Sequence, residues 1–582
     1  MCGIALRYRY GDEQNDDGFI SRALKSISYR GPDGQGVICP VPGLEIGHKR
    51  LAIISPNDGQ QPLVNHETGV TLSYNGEIYN YRDLRKELID LGHFFKTECD
   101  TEVLLHAYLE YGIEFINKLN GMFGFVIWDP RTCDIYAVRD RIGIKPLYYY
   151  KDDQQLIVAS EVKAILQDDK VKRKIDTESL YEYLIFGFTA GKKHLINEIN
   201  TLQPGHMLHL DCNKKQRITT YWSLLDQQEL RYNIDEACDL IDDTLRSSVH
   251  LRLRSDVPFA IILSGGLDSS LISHYADEQI KGLTAYSLRV ADENYDETNY
   301  AKMVCENRSL DLVIVDIDGE DFASMLDEVT WYYDEPILQT NTVGLYKLCK
   351  QISSDGIKML IGGEGADELF GGYSRHAETL LYLNKGFSEK LLYGRNEVAI
   401  PRVQRFWPDQ KAKFLERENF NHKLKYLSFG QQILRNDQWA YLPHLLQRPD
   451  RMGMACNIEI RVPFLDHRLV ELANSIPADM RFSAQESKAI LKKTAVRILP
   501  KKVINRAKLA FDTPISKSLL NGAMKNYFND NINKSSIVAN IFNIKEIENM
   551  QKEFQRGKIE LWRILWQILS LERYMKNFKC EL

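Results

Sequence analysis

The sequence predicts two domains in series, an α+β domain followed by an α/β domain whose parallel sheet is wrapped by helices. Three observations predict it. The chain has 582 residues, well beyond the length at which one hydrophobic core keeps growing. Its first part alternates strand-length runs with turns, the pattern of antiparallel pairing. From about Asp235 longer helical stretches separate short apolar runs, the pattern of a sheet covered on both faces.

Phe123 to Trp128, the turn Asp129-Pro130-Arg131, Asp134 to Val138, Pro146 to Tyr150, the polar Lys151 to Gln155, and Leu156 to Ser160 read as an antiparallel meander. Arg82 to Leu91 and Thr101 to Tyr111 carry apolar residues at three- and four-residue spacing and read as helices. The polar stretch Cys212 to Asn233 reads as a linker, dividing the chain into 1–212, 213–233 and 234–582. Beyond it, Phe259 to Leu263, Leu283 to Leu288 and Met359 to Ile361 read as buried parallel strands. Ile544 to Phe578 reads as one amphipathic helix with Trp562, Leu565, Trp566 and Leu569 on its apolar side, expected to pack on the core.

The formal charge of -6 comes from interleaved signs. It leaves no basic patch to neutralise a phosphate backbone or anionic lipid, so nucleic acid and membrane are not expected partners. Arg7 and Arg9 interrupt the stretch where an export signal needs an apolar core. No run approaches the roughly 18–20 apolar residues that cross a bilayer, and a cytoplasmic location is expected. The ten cysteines form no CxxC pair and no cysteine-histidine cluster, which in a reducing compartment points to free thiols.

Cys2 is the cysteine that invites chemistry. Removal of Met1 would leave a residue with both a thiol and a free α-amino group. That amine titrates near pH 8, suited to take the thiol proton and return it to a leaving amine. With Cys2, four segments resemble the class II glutamine amidotransferases: Tyr29-Arg30-Gly31-Pro32-Asp33, Gly47-His48-Lys49-Arg50-Leu51, Tyr74-Asn75-Gly76-Glu77-Ile78-Tyr79-Asn80 and Asp100-Thr101-Glu102. The resemblance covers nearly all of residues 1–200 and implies a four-layer α/β/β/α N-terminal-nucleophile sandwich. It implies that Arg50 clamps the glutamine α-carboxylate, Asp100 binds its α-ammonium, and Glu77 helps at that end, with Leu51 and Ile54 in the same pocket. Asn75 and the Gly76 N–H would form the oxyanion hole. Read locally, Asn75-Gly76 is equally a hairpin-turn signal. Tyr29 stands where the family usually has histidine.

Val257 to Leu263 ends in Ser264-Gly265-Gly266-Leu267-Asp268-Ser269-Ser270, and a helical stretch follows. Backbone N–H groups in such a turn, two serine hydroxyls and the positive helix end make a cradle for phosphate. The string resembles the pyrophosphate-binding loop of the ATP pyrophosphatases, and no GxxxxGK[ST] loop for γ-phosphoryl transfer occurs. Gly362-Gly363-Glu364-Gly365-Ala366-Asp367-Glu368 follows another predicted strand. At neighbouring strand ends Asp268 and Asp367 would hold magnesium, and Glu364 would take a proton from attacking ammonia. A solvated acidic loop is the alternative.

With Asp450-Arg451-Met452, Arg461-Val462-Pro463-Phe464-Leu465-Asp466-His467-Arg468 and Glu486-Ser487-Lys488, the whole chain resembles the glutamine-hydrolysing asparagine synthetases. That resemblance implies glutamine, ATP and aspartate as substrates, magnesium as cofactor, and a homodimer as a possible assembly. It places Leu263, Ser264, Gly265, Gly266, Asp268, Ser269, Leu288, Gly362 and Gly363 around the nucleotide, with Lys488 on the departing pyrophosphate. Departures cluster at the acceptor: Gln339, Asn341 and Gly344 stand where aspartate, serine and proline are usual, Gly362 replaces serine, and Ala510 replaces glycine after Arg506-Ala507-Lys508. A different carboxylate (a sugar acid, a peptide or a natural-product intermediate) is therefore the second reading, and a non-catalytic relative that only binds is the third.

Overall fold

The computed structural model describes residues 2–11, 17–290, 296–384, 396–408, 410, 414–506 and 522–582. Met1, Ala507, Lys508 and Ala510, singled out from the sequence, lie outside the described residues. The N-terminal part contains two six-stranded sheets. In the first, the strands run in the order Ile199–Thr201, Tyr148–Lys151, Gln155–Ala159, Gly3–Arg9, Leu44–Arg50, Gly34–Val41. In the second the order is Gln216–Thr220, His206–Leu210, Asp134–Arg139, Gly121–Asp129, Thr71–Ile78, Leu63–Val64. All of these pairings are antiparallel.

Ile4, Leu6, Ile46, Val126, Trp128, Leu156 and Val158 interdigitate between the two sheets. Alternation along each strand sends the other face outward. There helices Phe19–Ser26 and Val162–Ile165 cover the first sheet, and Asp100–Tyr111 the second. This is the expected α/β/β/α order. The strands of the predicted meander stand within a residue or two of their expected limits but do not form one sheet: Gly121–Asp129 and Asp134–Arg139 pair in the second sheet, Tyr148–Lys151 and Gln155–Ala159 in the first.

The C-terminal part holds a five-stranded parallel sheet, ordered Leu310–Ile317, Leu283–Val290, Phe259–Ile262, Met359–Ile361, Glu459–Arg461. The chain leaves the central strand Phe259–Ile262 toward one edge and later returns on its other side. Such a switch point opens a crevice at the carboxyl ends of the strands. No helix of the described residues is long and apolar enough to cross a membrane, and all ten cysteines are free.

Two further sequence expectations are corrected. Gln216–Thr220, inside the predicted linker, pairs with His206–Leu210 as an edge strand. Its exposed alternate residues carry too little hydrophobic signal to mark a strand, because an edge strand buries little. The single C-terminal helix is two, Ile544–Gln555 and Trp562–Phe578, broken at Gly557 (φ 105). Gly557 takes that left-handed conformation without a side-chain clash. Trp562–Phe578 is buried nearly all round, and Trp566 Nε1 donates to Leu338 O at 3.1 Å.

The two halves meet across a buried ionic lattice. Glu161 accepts from Arg30 (2.7 Å) in its own half and from Arg451 (2.7 Å) in the other, and pairs with Lys163 at 2.8 Å. Arg30 also reaches Asp450 at 2.8 Å. Asp334 crosses the seam to accept the Val162 and Lys163 amides at 2.6 and 3.1 Å. Burial, ahead of any neighbour, pushes the Asp334 carboxyl up to about 6. Tyr29 joins the same lattice through Glu161 and Lys163. Removing one member leaves buried charge without a partner, at roughly 3–5 kcal/mol. Glu161→Gln is therefore expected to destabilise the chain by about that amount, read as a lower midpoint in urea unfolding; an unchanged midpoint would show that the lattice does not hold the halves together.

Candidate active sites

Cys2 lies at the start of the central strand of the first sheet and is buried, 6% exposed. Its backbone N–H donates to Asn75 Oδ1 at 2.8 Å, and its carbonyl accepts from Arg30 Nε at 3.0 Å. Were Met1 removed, that nitrogen would be an α-amino group held by Asn75. Burial raises the thiol pKa, while nearby positive charge, the Leu51 amide and Arg50 act the other way. A nucleophilic role for this thiol would need a base beside it.

Asn75 and Gly76 sit inside strand Thr71–Ile78, opposite Gly124 and Phe123, so the hairpin-turn reading fails. Asn75 is 1% exposed, and its Nδ2 has no hydrogen-bond partner. A buried donor left open in this way is suited to an oxyanion that forms only during reaction. A Cβ on Gly76 would fall 2.1 Å from Met122 O and 2.8 Å from Phe123 Cα, so only glycine fits.

Arg50 ends strand Leu44–Arg50 and is 6% exposed. Its guanidinium donates to the carbonyls of Pro56 (3.0 Å), Ser55 (2.9 Å) and Ile54 (3.4 Å), and it makes no ion pair among the described residues. A buried cation oriented by carbonyls alone is a seat for an incoming carboxylate. The Arg30-Gly31-Pro32-Asp33 segment shapes that seat: a Cβ on Gly31 would lie 2.3 Å from Arg50 N, and Asp33 accepts the Ala52 amide at 2.8 Å. Asp100 starts helix Asp100–Tyr111 and accepts from Tyr74 OH (2.9 Å) and the Ile78 amide (3.1 Å).

Burial raises Glu77 well above the ordinary carboxylate range, and Arg461 opposes the rise. Glu77, expected at the amino end of glutamine, has Oε2 committed to Arg461 of the other half at 3.0 Å. Arg461 also holds Glu459 at 2.6 Å. Sequence reasoning gave neither Arg461 nor Glu459 a role: they pair with each other two residues apart, but the link to Glu77 spans the two halves, and only Arg461 falls in a string the sequence singled out.

In the second half, the turn after Phe259–Ile262 runs into helix Leu267–Gln279, and the turn after Met359–Ile361 lies beside it. A Cβ on Gly363 would stand 3.3 Å from Asp268 Cβ and 3.4 Å from Ser269 N. Ser264 and Ser269 hydroxyls sit 3.2 Å apart, and the Gly266 amide donates to Ser264 Oγ at 3.3 Å. Leu263 and Leu288 are buried at the neighbouring strand ends. Lys488 Nζ lies 2.6 Å from both Asp268 Oδ2 and Asp367 Oδ1. Burial would lower this lysine, but the two carboxylates outweigh it and hold it charged.

Two hard oxygen donors converging on one cationic position fit magnesium. No cluster of three or more such ligands occurs among the described residues, and magnesium commonly takes its remaining oxygens from phosphate and water. Glu364 Oε1 is 3.5 Å from Arg448 Nη2, while its Oε2 is buried without a partner. Gly362 makes room for it: a Cβ there would fall 2.3 Å from Oε2. Arg448 also donates to Asn341 at 2.8 Å, and Gln339 to Tyr441 OH at 2.8 Å. Arg448, which joins Glu364 to Asn341, is a residue that sequence reasoning missed.

Residues 240–576 match the asparagine synthase family, and residues 1–222 match the glutamine amidotransferase domain family. The chain is 29% identical to asparagine synthetase [glutamine-hydrolyzing] 1 of Bacillus subtilis over 99% of this chain and 98% of that one. It is 30% identical to asparagine synthetase [glutamine-hydrolyzing] 3 of the same organism, over 94% and 93%. It is 27% identical to amidase chry2 of Gibberella zeae, over 88% and 89%. Among solved structures, glutamine phosphoribosylpyrophosphate amidotransferase of B. subtilis aligns with TM-score 0.29 and 14% identity, over 54% of this chain and 81% of that one.

Gly76→Ala is expected to abolish glutamine hydrolysis, because strand Gly121–Asp129 would have to move. Ammonium-dependent turnover in the other half should persist. Glutamate release at the wild-type rate from the variant would contradict the placement.

Proposed function

Because the chain belongs to the asparagine synthase family, whose members are ATP-dependent amide ligases, we propose that it joins glutamine-derived ammonia to an adenylated carboxylate, with aspartate as acceptor and asparagine as product. The observation that carries the reading is the pairing of Cys2, whose amino nitrogen rests on Asn75, with a pyrophosphate-type loop at a sheet switch point.

In the first half the α-amine takes the Cys2 proton, and the thiolate attacks the glutamine carboxamide carbon. Asn75 Nδ2 and the Gly76 amide hold the resulting oxyanion. Arg50 and Asp100 hold the carboxylate and ammonium of the substrate. The proton returns to the leaving ammonia, and water then frees glutamate from the thioester.

In the second half an acceptor carboxylate oxygen attacks the α-phosphorus of ATP, and pyrophosphate leaves toward the Ser264–Ser269 turn and Lys488. A magnesium ion held by Asp268 and Asp367 would neutralise phosphate charge there. Ammonia attacks the acyl carbon, Glu364 takes a proton, and AMP departs. Ammonia must stay unprotonated between the sites. Leu51, Met122, Ile142 and Ile144 of one half cluster with Met454, Val462 and Leu465 of the other, an apolar strip that supports a dry passage.

One observation favours a second acceptor. Asn341 is joined to Glu364 through Arg448, and Gln339 is bonded to Tyr441, so neutral amides stand where the family usually has aspartate and serine, which supports a carboxylate other than aspartate. Cys2→Ala is expected to lose glutamine-dependent product while keeping product formation from added ammonium, with AMP and pyrophosphate as coproducts. Running this variant with aspartate and with sugar acids, peptides and hydroxy acids identifies the acceptor. Response to another acid and not to aspartate would overturn the first reading, and ADP in place of AMP would overturn both.

A further inference from the structure

A cavity of about 480 Å³ lies beside the phosphate turn, lined by Asn299, Tyr300, Met303, Lys502, Asn505 and Arg506. The turn is pressed against this wall. Gly265 has φ +67, and a Cβ there would fall 2.5 Å from Ala301 N and 2.6 Å from Tyr300 Cβ. A Cβ on Gly266 would stand 3.4 Å from Arg506 Nη2. Arg506 therefore meets the turn at Gly266, whereas Lys488 meets it at Asp268.

The Arg506 side chain is 8% exposed, stacks over Tyr300 at 4.9 Å and pairs through Nη2 with Glu297. Its Nη1 is buried and has no hydrogen-bond partner. A guanidinium so deeply buried, lining a cavity beside a phosphate turn and with one nitrogen unpartnered, is suited to a further anion.

Charge leads to the same place. Lys488 is already shared by two carboxylates, and Arg506 is paired through one nitrogen with Glu297. Lys502, on the cavity wall, adds a positive charge that neither group offsets. Departing pyrophosphate carries several negative charges, more than Lys488 alone offsets.

We propose that Arg506, assisted by Lys502, forms a second anion subsite that takes the terminal phosphates of ATP and then the cleaved pyrophosphate. This rests on the reading that ATP is split between its α and β phosphates. The role is one of leaving-group binding, so it should appear in affinity for pyrophosphate and not in affinity for AMP.

The test is calorimetric titration of the full chain with inorganic pyrophosphate in the presence of magnesium, with AMP titrated in parallel as a control for folding. Arg506→Gln is expected to weaken pyrophosphate binding by about 10- to 100-fold, the worth of a hydrogen bond to a charged group, and to leave AMP unchanged. Arg506→Lys, which keeps the charge and loses the fork, should fall between. Glu297→Gln frees the other edge of the guanidinium and should leave pyrophosphate binding equal or tighter.

Unchanged pyrophosphate affinity in Arg506→Gln would overturn the proposal. So would an equal loss in Arg506→Gln and Glu297→Gln, which would make the pair only a brace. If the wild-type chain makes ADP, the cleavage reading itself falls; if it makes AMP while Arg506→Gln binds pyrophosphate normally, only the subsite falls.

Discussion

The buried lattice of Arg30, Glu161, Lys163, Asp334, Asp450 and Arg451 is the constraint on which the rest of the structure depends. Each of these charges is essentially excluded from water and has its counter-charge within or across the seam. Separation of the halves would strand ions in an apolar setting, which is far more costly than parting two greasy faces. The same lattice touches both chemistries. Arg30 holds the Cys2 carbonyl, and Asp334 begins the segment that leads through Gln339 to Asn341. Arg451 shares helix Gln447–Ala455 with Arg448, which faces Glu364.

An apolar cluster spans the same seam. Leu51 sits next to Arg50 at the glutamine end, and Leu465 packs where a Cβ on Gly365 would fall, one residue from Glu364 at the other. Tyr29, which departs from the family's histidine, is absorbed into the lattice by Glu161 and Lys163. Its place is in the joint between the halves.

The candidate site residues stand out in the sequence where a short string carries its own geometry. Strand, glycine turn and helix start coincide at Phe259 to Leu271, and Cys2 is identified by its place in the chain. What was hidden depends on distant partners. Arg30 meets Asp450 across 420 residues, and no local pattern marks that contact. Asn75-Gly76 looks like a turn locally, but pairing with Gly121–Asp129 on one side overrides that preference. The Gln216–Thr220 strand was missed because its exposed face resembles a linker, and the break at Gly557 was visible only as one glycine in an otherwise helical run.

The central claim is that nitrogen freed at Cys2 is consumed at the distant cleft without entering bulk water. Turnover of glutamine labelled with ¹⁵N at its amide, in the presence of excess unlabelled ammonium at a pH where the ammonium-dependent rate is small, measures this directly. Product carrying undiluted ¹⁵N is the predicted result. Product whose label matches the mixed pool of free ammonia would contradict it.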